Sequence, residues 1–427
     1  MVVIDPGGLG DRWFRHEPPG SHRPGYRAVV QRLVCLLIFL SALPDAMVVP
    51  VLKDLMVDRY GVTRTQAQAF LLVNLIGAAL AVALMPRLQR SVTPLRLLVM
   101  ASVADAVLLA APWFPLGWSG TMVVRTLEGV PDAITFGLLL QLLGGSGRGS
   151  VPARLGLGSM VLLGGVGCGM ALGGLAGKLV GPGQERVVFL LGAASSALVA
   201  VLVLVRSSSI AGATVPPDES HAAITAAARG SSASVPASVP PWVVLSMAFV
   251  DRATGGVLTG TLSLFLAGFF PYDASERGWM VGLPLLAMAA GAWPAGAAAA
   301  RIGTLQVRLV AGMTYAAALA VVPFVGDAQP LLVALLAVLG LAGAALLPTS
   351  LTLEHEVDRG AAGFTAFATS GGIGYASGAV IPVMVLGVAG EGAASYQGII
   401  VGFALLHAAV TCCAMATTRG WRSGAVS

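Results

Sequence analysis

Charge is scarce in this chain. Only 11% of its 427 residues are Asp, Glu, Lys or Arg, while 56% are hydrophobic and the mean hydropathy is +0.85. A soluble domain needs about a quarter of its residues charged to cover its surface, so a wholly water-facing exterior is excluded. Cysteine is equally sparse. Cys35, Cys168, Cys412 and Cys413 all fall in apolar runs, which speaks against a disulfide framework and a thiolate metal site. The sequence offers no Ser-His-Asp set, phosphate-cradling Gly-Lys loop or Cys-x-x-Cys, and Glu354-His355-Glu356 lacks the His-Glu-x-x-His spacing of a zinc hydrolase. Neither an enzyme nor a cofactor is indicated. The 25 Lys and Arg are scattered singly without an aromatic stripe, so no nucleic-acid surface is expected.

What the chain has instead is apolar length. Twelve runs, 28–52, 66–86, 94–113, 119–143, 153–177, 187–206, 241–270, 278–300, 305–326, 329–350, 360–388 and 396–418, are each near the ~20 residues a helix needs to cross a ~30 Å hydrocarbon core. The 55 glycines and 25 prolines fit this reading, because membrane helices tolerate both and pack closely through small residues. Residues 1–27 and 419–427 read as polar tails. The stretch 207–240, with Ser231-Ser232-Ala233-Ser234-Val235-Pro236, reads as a linker too poor in apolar residues to bury a core. The expected order is therefore a six-helix bundle (28–206), the linker, and a second six-helix bundle (241–418). With the N-terminus placed inside, 17 basic residues fall on the inner side and 6 on the outer. That bias predicts a multi-pass protein of a bacterial inner membrane, with both termini and the linker cytoplasmic.

Seven charged side chains fall well inside the spans, away from their ends: Asp45, Asp105, Arg125, Glu128, Asp132, Asp251 and Arg252. Each costs on the order of 2.5–3.5 kcal/mol at a helix centre, a penalty that points to function. Five acids face two arginines, an imbalance that protons can settle. At 100° per residue, Arg125, Glu128 and Asp132 share one face of the fourth helix. Asp45 and Arg125 both lie roughly 10 Å below the outer ends of their helices, so an ion pair between them is expected. Of the neighbours Asp251 and Arg252, Asp251 is expected to face the central cavity. Asp105 and His407 read as packing residues, and Glu354 to Asp358 as a solvated loop.

At these residues the sequence resembles the major facilitator superfamily, and within it the twelve-helix drug/proton antiporters. Gly156, Gly165, Gly169, Gly173 and Gly174 reproduce the antiporter glycines of the fifth helix, with Met170 in place of the family's proline. Arg125-Thr126-Leu127-Glu128-Gly129 resembles the family's Arg-x-x-Gln-Gly, and Pro44-Asp45 its acid-bearing first helix. Arg87 and Arg90 between helices 2 and 3, and Arg301, Gly303 and Arg308 between helices 8 and 9, are remnants of the loops that gate the family's members.

The resemblance implies an all-α fold of two six-helix bundles around a cavity lined by helices 1, 4, 7 and 10. It also implies alternating access and a monomer with a small-molecule substrate. Asp45, Arg125, Glu128 and Asp132, then Asp251, are the expected proton-coupling residues. Proton-driven efflux of an amphipathic or drug-like compound is the leading expectation. Uptake of a small solute by symport or facilitation comes second, and a non-transporting assembly or sensor protein third.

Overall fold

The computed structural model describes residues 24–146, 151–181, 183–207, 210, 239–325, 328–357 and 361–424. The spans are α1 (Pro24–Val48), α2 (Arg64–Ser91), α3 (Pro94–Ala110), α4 (Gly117–Ser146), α5 (Val151–Val180) and α6 (Val187–Val205), then α7 (Pro241–Val257), α8 (Ala274–Ile302), α9 (Thr304–Val321), α10 (Gln329–Val357), α11 (Ala361–Ala389) and α12 (Ala393–Gly424). A π-turn (Leu258–Leu262) and a short helix (Ser263–Phe269) continue α7 to full membrane length. Among the described residues, ten helices are long and apolar enough to cross a membrane. The other two long elements are α7, extended through the π-turn, and α8, which carries Pro284 and Pro294.

Several boundaries follow from local chemistry. Thr63 and Asp273 open α2 and α8 as reciprocal capping boxes with Gln66 and Glu276. The link between α8 and α9 is a single residue, Gly303, whose φ of +103° is open to glycine and strained for other side chains. Most of the expected linker, and residues 1–23 and 425–427 of the expected tails, lie outside the described residues. Pro24 to Arg27 open α1, and α12 runs on to Gly424.

Short links make successive spans alternate in direction. α1 begins and α12 finishes at one end of the bundle, here called the near end; the opposite is the far end. The two halves repeat one packing scheme. α1 packs on α5 and α6, α2 on α4, and α3 on α6; α7 correspondingly packs on α11 and α12, α8 on α10, and α9 on α12. Between halves the contacts are α5 with α8 and α2 with α11, again related by a shift of six helices. Sequence order and spatial pairing thus agree on two internal repeats.

Glycine sets how closely α5 sits between α1 and α8. A Cβ on Gly165 or Gly169 would stand 2.8 Å and 2.6 Å from the carbonyl oxygens of Phe39 and Leu43 in α1. Gly173 meets the Met47 backbone in the same way, while Gly174 faces Ala274 and Gly278 of α8. The expected motif therefore serves two contacts, one inside its own half and one across to the other. Gly129 of α4 lies against the Asn74 backbone and side chain in α2. Gly156 lies in the first turns of α5, and its surroundings are not among the described features.

Several expectations for the connecting segments need correction. Arg87 and Arg90 lie in the last turns of α2 and Arg301 in the last turn of α8, on helix and not on loop. Arg308 lies in α9 and is completely buried. Glu354 to Glu356 belong to α10, which continues past the expected boundary, and Glu354 is buried; Asp358 lies outside the described residues. Apolar runs under-count helices whose last turns are polar, because a polar turn can stay helical outside the hydrocarbon.

Candidate functional site

Two clusters of charge are set within the bundle, one in each half. The first is built around Arg125 of α4. Pro44 of α1 has no N–H for the Leu40 carbonyl one turn back, and Ser195 of α6 donates to that oxygen at 2.7 Å. This tolerated break precedes Asp45, whose Oδ1 accepts from Arg125 Nη2 at 2.6 Å and from Asn74 Nδ2 at 3.4 Å. Arg125 Nη1 donates to Glu128 Oε2 on the same helix, and the guanidinium lies over the Phe70 ring, 5.3 Å from its centroid. Asp105 of α3 is buried as well, with Ser196 Oγ of α6 donating to its Oδ2 at 2.6 Å. Helices α1, α2, α3, α4 and α6 all contribute.

Exposure divides this cluster. The Arg125 and Glu128 side chains are 6% and 3% exposed, while that of Asp45 is 34% exposed. Asp45 is thus the member water can reach. Asp105, read from the sequence as a packing residue, is buried and joins α3 to α6 through Ser196. Asp132, expected on the same face as Arg125, is half-buried about two turns further toward the near end. No ion pair to it is found among the described residues.

The second cluster corrects the reading of Asp251. Its side chain is turned into the second half, where Arg308 Nη2 donates to Oδ1 at 2.6 Å and Ser350 Oγ to Oδ2 at 3.4 Å. Arg308 Nε also reaches Ser350 Oγ at 3.1 Å. His407 of α12 lies 3.8 Å from Asp251 Oδ1, with its ring centroid 4.9 Å from that of Tyr315. The neighbour Arg252 is the exposed one of the pair. Helical geometry fixed the 100° between the two side chains but not which of them faced inward.

A third group of contacts joins the halves at the far end, and sequence reasoning did not find it. Arg277 of α8 donates to Asp54, to the Pro50 carbonyl at 3.0 Å and to the Tyr272 carbonyl at 3.0 Å. Ser263 Oγ donates to the Val49 carbonyl at 2.7 Å, Gln68 Nε2 to Thr261 Oγ1 at 3.0 Å, and Lys178 pairs with Asp273 at 2.9 Å. Glu391, between α11 and α12, accepts from the backbone N–H groups of Arg64 and Thr65 and from Thr65 Oγ1 at 2.6–3.2 Å. These partners, roughly 100 to 300 residues apart, carry no local signal.

No protein-family model matches the chain, and no curated protein is similar to it in sequence. Solved structures do match its fold. A bacterial homologue of the human lysosomal transporter Spinster, inward-facing and unoccupied, superposes with a TM-score of 0.69 at 14% identity, over 92% of this chain and 97% of that one. A single-site mutant of the nucleoside transporter NupG gives 0.66 at 15% identity over 91% and 99%. Tetrameric PepTSo2 gives 0.67 at 12% identity over 93% and 99%. These likenesses extend over nearly the full length of each chain, and the architecture they share with this protein is the two-bundle, twelve-helix major facilitator fold.

Proposed function

We propose that the protein is a proton-coupled secondary transporter that exports a small amphipathic molecule by alternating access. It acts as a monomer in a bacterial inner membrane, with its near end in the cytoplasm. One observation carries the reading: a water-accessible carboxylate, Asp45, shares an otherwise buried arginine with Glu128. A proton taken up at Asp45 removes one of the two carboxylates that hold Arg125 and loosens α1 from α4. Release of that proton restores the pair.

The far-end contacts seal the cavity on that side, and substrate therefore enters from the near end in this conformation. Rocking of the halves about α5–α8 and α2–α11 then exposes Asp45 to the outer solution, where a proton replaces the departing substrate. Asp132, about two turns nearer the cytoplasm than Arg125, supplies the next carboxylate on the proton's inward route. Met170, where the antiporter pattern carries proline, favours a second reading. A fifth helix without that break is not restricted to export, and uptake of a small solute by symport uses the same parts.

Reconstitution into liposomes with an imposed pH gradient tests both. Export is expected to drive substrate against the direction of proton flow, and Asp45→Asn to abolish the gradient dependence. Transport that accompanies the proton favours uptake, and transport indifferent to the gradient in the native protein sinks the coupling.

A further inference from the structure

The arginines set within the spans are not equivalent. Arg125, Arg277 and Arg308 are each bonded to a carboxylate. Arg252 of α7 is exposed and has no ion-pair partner among the described residues; its neighbour Asp251 is turned away and committed to Arg308. An unpaired guanidinium this deep in a membrane protein costs several kcal/mol and is retained where it faces water and a partner that comes and goes.

Where Arg252 faces can be read from its neighbours. It lies about 16 Å from the near end of α7 and, seven residues before Thr259, within roughly 20° of it on the helix face. Thr259 Oγ1 is 3.2 Å from the Tyr375 hydroxyl of α11, so this side of α7 carries two hydroxyls. A guanidinium exposed at mid-depth of a span is tolerated facing a water-filled cavity and not lipid, so this side of α7 looks into the central cavity. The Arg252 side chain runs over Gly371, where a Cβ would stand 3.2 Å from its Cγ, so α11 passes close beneath it. Toward the near end the same face continues with half-buried Phe249 and Leu245.

We propose that Arg252 is the headgroup anchor of the transported molecule, which is an amphiphile bearing a carboxylate or phosphate. The anion bonds to Arg252, with the Tyr375 and Thr259 hydroxyls beside it, and the apolar part lies along Phe249 and Leu245 toward the near end. This assignment rests on the transporter reading and adds the substrate's charge. It departs from the preference for cations that an acidic interior implies, because Asp45 and Glu128 are already occupied by Arg125.

The test uses the full chain in phosphatidylcholine nanodiscs and the fluorescent amphiphile dansyl-undecanoate, with its methyl ester as the neutral control. The carboxylate is expected to bind at least about tenfold more tightly than the ester, as loss of a charge-assisted bond implies. Arg252→Gln should remove that difference without weakening ester binding, and Arg252→Lys should restore most of it. Thermal unfolding checks that each variant is folded.

Equal binding of acid and ester by the native protein, or a preference untouched in Arg252→Gln, overturns the anchor. Replacing a third of the lipid by phosphatidylglycerol separates a solute from a membrane lipid. If the added lipid displaces the probe in proportion to its content, the occupant is a structural lipid and the transported-anion assignment falls. Flux in liposomes keeps the two proposals apart. Arg252-dependent binding without movement under any gradient removes the transporter reading alone, and movement of the ester and the acid at equal rates removes the anchor alone.

Discussion

Glu391 caps a helix of the opposite half: its carboxylate accepts the first two backbone N–H groups of α2, from Arg64 and Thr65, together with the Thr65 hydroxyl. A helix start offers unpaired N–H groups and a partial positive charge, and an anion from across the cavity satisfies both. Burial works against the charged form, but the Thr65 hydroxyl and the two N–H groups outweigh it and hold Glu391 below its ordinary pKa. A carboxyl whose pKa is depressed in the closed state favours closure above its ordinary value, and that contribution is lost as pH falls through the depressed one. Asp54 works in the opposite sense. Burial raises its pKa more than Arg277 lowers it, so acidification through that raised value favours the closed far end.

Glu391→Gln is therefore expected to open the far end at neutral pH. The shift should be about 1 kcal/mol, roughly fivefold in population, after allowance for solvent screening of a partly exposed group. Spin-label distances across the far end measure it. Asp54→Asn should abolish any gain in closure between neutral and mildly acid pH, and an unchanged pH profile in both variants excludes this latch.

Arg125→Ala leaves Asp45 and Glu128 without their shared cation, and breaking a buried pair in this way costs on the order of 3–5 kcal/mol. Most of that loss should return when Glu128→Gln is added, because the remaining acid, Asp45, reaches water. Exchanging Asp45 and Arg125 should preserve insertion and folding. Retained yield and melting temperature in Arg125→Ala alone would show that the cluster contributes little to stability.

The spans were legible because twelve apolar runs are long enough to cross a bilayer, and the Asp45–Arg125 pair because depth follows from counting residues along helices. Asn74, Ser196 and Glu391 were not legible as site residues. Each is an ordinary polar residue whose role comes from a helix brought alongside by tertiary packing. Arg308 was misplaced for a related reason. A basic residue four positions after a helix start resembles a loop charge until its acid, Asp251, is found 57 residues earlier in sequence on a neighbouring helix.

Arg308 is wholly buried against Asp251 and Ser350, so Arg308→Ala is expected to lower stability by about 3–5 kcal/mol by stranding the carboxylate. Replacing the pair together, Asp251→Leu with Arg308→Met, should recover much of the loss, since apolar residues of similar volume need no partner. Thermal unfolding in a neutral detergent reads both. Transport retained by the double variant would assign the second cluster to folding, and transport lost despite a recovered melting temperature would assign it to the cycle.

Gly174 offers the most direct control over movement of the halves. It meets the Ala274 backbone and Gly278 across the interface, and each half keeps its own internal contacts when that interface parts. Gly174→Val drives two methyl groups into the α8 backbone, an overlap relieved only by separation of α5 from α8 at the far end. The variant should fold and insert as the native protein does, yet be displaced toward a far-end-open state. Cysteines placed at Lys178 and Asp273, whose side chains now pair at 2.9 Å, provide the readout. They should cross-link readily in the native background and at least about tenfold more slowly beside Gly174→Val, a difference of roughly 1.4 kcal/mol in closure. Cross-linking at the native rate would mean that α5 and α8 tolerate the added bulk and that this contact does not govern closure.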